Sequence, residues 1–128
     1  MQATEYKIGL IGHTNTGKTT FIRQLLYGIN GNNNKPTIGV DVYPYDVRYK
    51  DKKYRLIFWD CAGDEKFIGL GKNYLLDSDF IFIFKDNNKN NKIFENWVPK
   101  NTLYNYIRND NAQQVTCFSL ILRSICQS

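Results

Sequence analysis

The chain has 128 residues, 42% hydrophobic, 15% aromatic and 23% charged, with a net charge of +5 and a pI of about 9.1. That length makes one domain with room for a core, and the composition excludes a disordered, low-hydrophobicity chain. The basic balance raises a nucleic-acid role, but the cations are scattered, with no Arg/Lys stripe and no aromatic RNA-binding signature, so a solvated surface and no nucleic acid are expected.

In chain order, residues 6–11, YKIGLI, form an apolar run suited to a buried central strand. After a Gly-rich loop, Phe21, Ile22, Leu25 and Leu26 fall on one helical face, and Gly28 is a natural stop. Residues 29–37 are polar. VDVYPYDVRY then alternates as a half-buried strand does, YKDKKY turns it into a hairpin, and YRLIFWD returns as the next strand. DFIFIFK is a further hydrophobic strand. The Asn- and Lys-rich loop at 86–92 reads as a solvated connection produced by coding bias. It leads to IFENWVPKNTLYNYIRND, where Pro99 fits the first turn of a helix on which Leu103, Tyr104 and Ile107 share a face. VTCFSLIL reads as one more strand. Strands alternating with helices predict a three-layer α/β sandwich with a mostly parallel sheet.

Two motifs carry chemistry. The first, Gly12-His13-Thr14-Asn15-Thr16-Gly17-Lys18-Thr19, has the pattern G-x-x-x-x-G-K-[ST] between the first strand and the first helix. Its glycines let successive N–H groups face an anion, Lys18 reaches the outer phosphates, and the Thr19 hydroxyl can ligate Mg²⁺. The helix that starts here adds its N-terminal partial charge, so residues 12–19 and Thr20 are candidate phosphate contacts. The second motif is Asp60-Cys61-Ala62-Gly63 at the end of a strand, about forty residues later. Asp60 there can hold Mg²⁺ through water, and the Gly63 N–H can meet a γ-phosphate. Thr37, in KPTIG between the two motifs, can reach the same metal.

Three cysteines, Cys61, Cys117 and Cys126, lack metal spacing and point to reduced thiols in an intracellular protein. No apolar run is long enough to span a membrane. MQATEYK leads straight into the first strand, and Cys126 is third from the end rather than fourth, so neither a leader nor a prenyl anchor is expected.

Taken together, these residues resemble the Ras superfamily of small GTPases, most closely its Ran branch. YKIGLIGHTNTGKTTFIRQLLYG looks like the family's first strand, phosphate loop and first helix, and TIGVDVYP like its switch I and following strand. FWDCAGDEKFIGL looks like switch II, with EKF followed by GL especially Ran-like, and FENW like the start of the third helix. The resemblance covers residues 5 to about 110. It implies a P-loop NTPase fold of the Ras type that binds GTP and GDP with Mg²⁺ and changes switch conformation with the γ-phosphate. It also implies protein partners at the switches, by analogy nuclear transport receptors and exchange factors, and a cytoplasmic or nuclear location.

Departures from the family pattern carry their own expectations. No Asn-Lys-x-Asp motif follows VTCFSLIL, where RSICQS stands instead, and Asn88-Lys89-Asn90-Asn91 and Asn91-Lys92-Ile93-Phe94 are decoys that lack the aspartate. Asn30 replaces the aromatic residue that stacks on the base, so no guanine-specifying residue carries over. With the family's last strand and last two helices missing, the domain is expected to be truncated, incomplete at the C-terminus, with an apolar sheet face bared over an area on the order of several hundred Å². Asp64 stands at the glutamine position that orients the attacking water, and its charge repels the γ-phosphate. Thr14 beside the γ-phosphate crowds the water and any arginine finger, a group worth about 10³–10⁵ in rate. Of the candidate catalytic residues, Lys18 and Asp64, only the first fits the family, and slow or no hydrolysis is expected. Two readings stay open: a Ran-like switch with weak GTPase activity, and a catalytically inactive, truncated interaction module or decoy.

Overall fold

Five strands, β1 (Thr4–Gly12), β2 (Val40–Tyr49), β3 (Lys52–Cys61), β4 (Phe80–Phe84) and β5 (Leu103–Ile107), form one sheet in the order β2-β3-β1-β4-β5. A computed structural model describes residues 4–13, 40–61, 73–86, 88–107 and 123. Strand β1 runs parallel to β3 and β4, and β4 parallel to β5, while β2 pairs antiparallel with β3. This is the mostly parallel sheet of a P-loop NTPase of the Ras type. The expected helix at residues 21–26 and the expected strand VTCFSLIL lie outside the described residues.

Both faces of the sheet are buried at its centre. Ile8, Leu10, Leu56, Phe58, Phe82 and Phe84 pack together on one face, and Ile11, Cys61, Ile81 and Ile83 pack with Leu75, Phe94 and Trp97 on the other. Central parallel strands are covered on both sides, which is why FIFIF reads as an unbroken apolar run. The bared face expected from the sequence is therefore corrected here: Leu10, Leu56, Phe58, Phe82 and Phe84 are all 0% exposed. Exposed large apolar side chains sit at the margins, at Val42, Leu76, Leu103 and Tyr104.

The β2–β3 hairpin forms as the alternation predicts. Tyr43, Tyr45, Val47 and Tyr49 lean on the core while the residues between them face solvent. Pro44 is tolerated because β2 is the sheet's edge among the described strands, where a missing ladder donor does least harm. The tip is a two-residue turn, Lys50-Asp51, with φ of 49° and 63°. Positive φ at both positions defines the hairpin turn that favours Asn-Gly, and Lys-Asp fills it at some strain. Replacing Lys50 by Asn together with Asp51 by Gly is expected to stabilise the domain by about 1 kcal/mol. An unchanged melting temperature would contradict that.

The same tip gathers four of the cations. Arg48, Lys50, Lys52 and Lys53 are exposed around the single Asp51, and Arg48 sits directly opposite Lys53 in the ladder. Two pairs further in, Arg55 is neutralised by Asp46, with Nε donating to Oδ1 at 2.8 Å.

The segment after β4 departs from expectation most. The predicted helix carrying Leu103, Tyr104 and Ile107 is instead a short 3₁₀ helix (Lys92–Trp97), a turn, and then β5. Phe94 and Trp97 are buried from the 3₁₀ helix. At the turn, Thr102 N–H donates to Pro99 O at 3.1 Å, and Asn101 takes φ of 71°, the position at which such turns use Gly or Asn. LYNYI then alternates with period two, its aromatic residues at 104 and 106 on one face and Ile107 buried on the other. Three apolar residues over five positions fit either period, and pairing with β4 decides for strand. Tyr106 ties the two pieces together: its hydroxyl donates to Glu95 Oε1 at 2.5 Å. Burial and that bond push the Tyr106 phenol up to about 12.

Candidate functional site

Ligands of open α/β sheets bind beyond the carboxyl ends of the strands, near the point where strand order reverses. Here β1 connects toward β2 and β3 on one side, and β4 and β5 lie on the other, so that point falls at the end of β1. Gly12, Asp60 and Phe84 close β1, β3 and β4 there: Leu10 is in register with Asp60, and Gly12 with Phe84.

Gly12 has φ of +151°, a region L side chains rarely adopt. A Cβ on it would lie 2.7 Å from the Phe84 carbonyl oxygen. The first glycine of the phosphate-loop motif is thus fixed by close approach of β4. The remaining predicted phosphate contacts, Thr14, Asn15, Thr16, Gly17, Lys18, Thr19 and Thr20, lie outside the described residues, as do Thr37, Gly63 and Asp64.

Asp60 is 0% exposed at the end of β3. Asp41 lies opposite it in the antiparallel ladder, so the two carboxylates belong to one face. Like charges directly opposite repel, and a buried carboxylate carries a desolvation penalty that a cation offsets. A hard oxygen donor of this kind fits Mg²⁺, which binds through one or two carboxylates together with phosphate and water rather than in an all-protein cage. Among the described residues no group of three His, Cys, Asp or Glu side chains is placed to hold a metal. Asp60 is accordingly the described residue that fits the ion, and the bound ion would neutralise phosphate charge.

His13 is the first residue past β1. Its Nε2–H donates to the Asn90 carbonyl oxygen at 2.9 Å, and its ring meets the Phe94 edge with centroids 4.8 Å apart. The Asn-rich loop it touches is solvated as expected, with Asn88, Lys89 and Asn90 exposed, and is also tied by its own side chains. Asp86 N–H donates to Asn91 Oδ1 and Asn91 Nδ2 donates to Asp86 O, each at 2.9 Å. Asn88 N–H donates to Asp86 Oδ1 at 3.0 Å, and Lys92 N–H to Asn90 Oδ1 at 3.1 Å. Asp and Asn side chains here bind neighbouring backbone groups, as they do in Asx turns. Asp86 directly after an apolar strand, with Asn at 90 and 91, was the available signal.

Residues 74–79 are pinned against β1 and β3. Lys7 N–H donates to Asp79 Oδ2, and Asp79 N–H returns a bond to Lys7 O, each at 2.8 Å. Lys7 Nζ donates to Leu76 O at 2.7 Å and lies 4.0 Å from the centroid of the Trp59 ring, itself tilted against Tyr74. Burial lowers the Lys7 ammonium below its ordinary value, against the opposite pull of Cys61 and Asp77. Leu75 fits because Gly9 lacks a Cβ, which would lie 2.5 Å from Leu75 Cδ2.

Strand β5 ends at Ile107, and VTCFSLIL and RSICQS, where the base-reading motif was sought, lie beyond it, outside the described residues except for Arg123. The family model described as "Ras of Complex, Roc, domain of DAPkinase" matches residues 7–118, which takes in the phosphate-loop motif, DCAG and the segment after β5. The chain belongs to this Roc family, and so to the Ras-like GTP-binding switch domains.

Proposed function

We propose that this chain is a nucleotide-controlled switch that binds GTP and GDP with Mg²⁺ and hydrolyses GTP weakly. The observation that carries it is the meeting of Gly12 and the buried Asp60 at one end of the sheet, each opening a motif of matching chemistry. Phosphate would be held by residues 12–20 and Gly63, and the ion by Thr19, Thr37 and Asp60. Weak hydrolysis follows from Asp64, an anion where a water-orienting amide is needed, and from the bulk of Thr14.

A Ran-like kinship is supported by FWDCAGDEKFIGL alone, and by that analogy partners would be transport receptors and exchange factors in the nucleus or cytoplasm. The alternative is a catalytically inactive interaction module, favoured by Asp64 and Asn30. Titration with fluorescent GTP and GDP in the presence of Mg²⁺, competed by GTP and ATP, separates the two. Tight binding displaced by GTP but not ATP, with turnover far below that of ordinary small GTPases, is the expected result. Absent binding would favour the module, and equal displacement by ATP would remove guanine selection.

A further inference from the structure

We infer that His13 is a positioning residue, which couples the entrance of the phosphate loop to the Asn-rich loop after β4 and thereby slows nucleotide release. This rests on the switch reading above. Nothing in G-x-x-x-x-G-K-[ST] demands an imidazole at its second position, where the loop's contribution is a backbone N–H. The structure nevertheless gives that side chain two partners on a distant segment. Asn90 O is an acceptor, so the ring nitrogen facing it at 2.9 Å must carry the proton, which fixes the tautomer. The T-shaped contact with Phe94 fixes the ring plane. Both partners are themselves held: Phe94 is 1% exposed and its N–H donates to Asn91 O, while Asn90 and Asn91 are locked to Lys92 and Asp86. Phe94 also meets Trp97 in a T-shaped contact, centroids 4.8 Å apart, within the second core cluster.

The result is a latch between two loops at the same end of the sheet. Gly12 is clamped by Phe84 below it, and His13 by Asn90 and Phe94 beside it. A nucleotide leaving the phosphate loop requires the backbone N–H groups of that loop to let go together. Anchoring the loop's first side chain opposes this, with no contact between the imidazole and the nucleotide.

The test compares fluorescent GDP release from the full chain with Mg²⁺ in three variants. His13→Phe keeps the ring against Phe94 but loses the donor, and is expected to release GDP roughly 2- to 12-fold faster, the span of one net hydrogen bond. His13→Gln keeps a donor at similar reach and is expected to restore release to within about twofold of the parent. Asn91→Ala loosens the latch from the other side, and combining it with His13→Phe is expected to add little further. Amide exchange over residues 88–94 should rise in His13→Phe as release quickens. Parental release rates in His13→Phe would overturn the inference, as would acceleration by Gln equal to that by Phe. A parent chain that binds no GDP would instead overturn the switch reading, and the latch's role with it.

Discussion

Replacing Gly12 with alanine is expected to lower the melting temperature by about 10 °C or more and to abolish nucleotide binding. Two penalties combine. A φ of +151° is a strained conformation for any residue with a Cβ, costing about 1–3 kcal/mol. The new methyl would also lie 2.7 Å from a backbone oxygen of β4 and 3.1 Å from the Phe84 Cβ, neither of which can swing aside as a side-chain tip does. Overpacking a well-filled site adds about 1–3 kcal/mol. A kilocalorie shifts the melting point of a small domain by roughly 4–8 °C, so even the lower sum is easily read by calorimetry. The contrast is Gly9→Ala, where the nearest obstacle is the far end of Leu75. A Gly12→Ala protein that melts within about 2 °C of the parent would mean that β1 and β4 separate more readily than their register implies.

Replacing Asp60 with asparagine is expected to divide fold and function. The amide has the same shape without the charge, so the desolvation penalty of the buried carboxylate and its repulsion from Asp41 both disappear. The nucleotide-free protein should therefore keep its fold, and the change in its melting temperature reads the balance between those gains and the carboxylate's other contacts. Losing an outer-sphere carboxylate typically weakens metal affinity by about 10–100-fold, and the Mg²⁺ dependence of GTP binding should shift by that amount. Isothermal titration with Mg²⁺ at fixed GTP reads the shift directly. An unchanged Mg²⁺ dependence would remove Asp60 from the metal's surroundings, whatever happened to stability.

How much could be read in advance depended on whether a segment's neighbours were already implied by its own residues. The strand before the phosphate-loop motif, the hairpin and FIFIF were legible because each shows one period or one unbroken apolar run. LYNYI was not, because Leu103, Tyr104 and Ile107 satisfy a helical spacing while 104 and 106 satisfy an alternating one. Only β4 distinguishes the two. The candidate site divides the same way. The positions of Gly12 and Asp60 at the carboxyl ends of β1 and β3 were visible from motif spacing. The partners of His13 were invisible because Asn90 and Phe94 are more than seventy residues away and belong to a stretch that looks like biased composition. Hydrogen bonding by Asn to its own turn is a local rule, yet where such a turn rests is settled by the strands on either side.

The central strand also fixes an order of events during synthesis. Ile8 pairs with Phe58 on one side and Phe80 on the other, 50 and 72 residues further along. Among the described strands, only the β2–β3 hairpin closes between near neighbours in the chain. Long-range parallel pairing is slow because the intervening chain must be ordered first. A growing chain therefore carries β1, apolar through residues 8–11, without β3 until Cys61 has been made and without β4 until Phe84 has. The strand that anchors the nucleotide motif is translated first and cannot be completed until β4 exists.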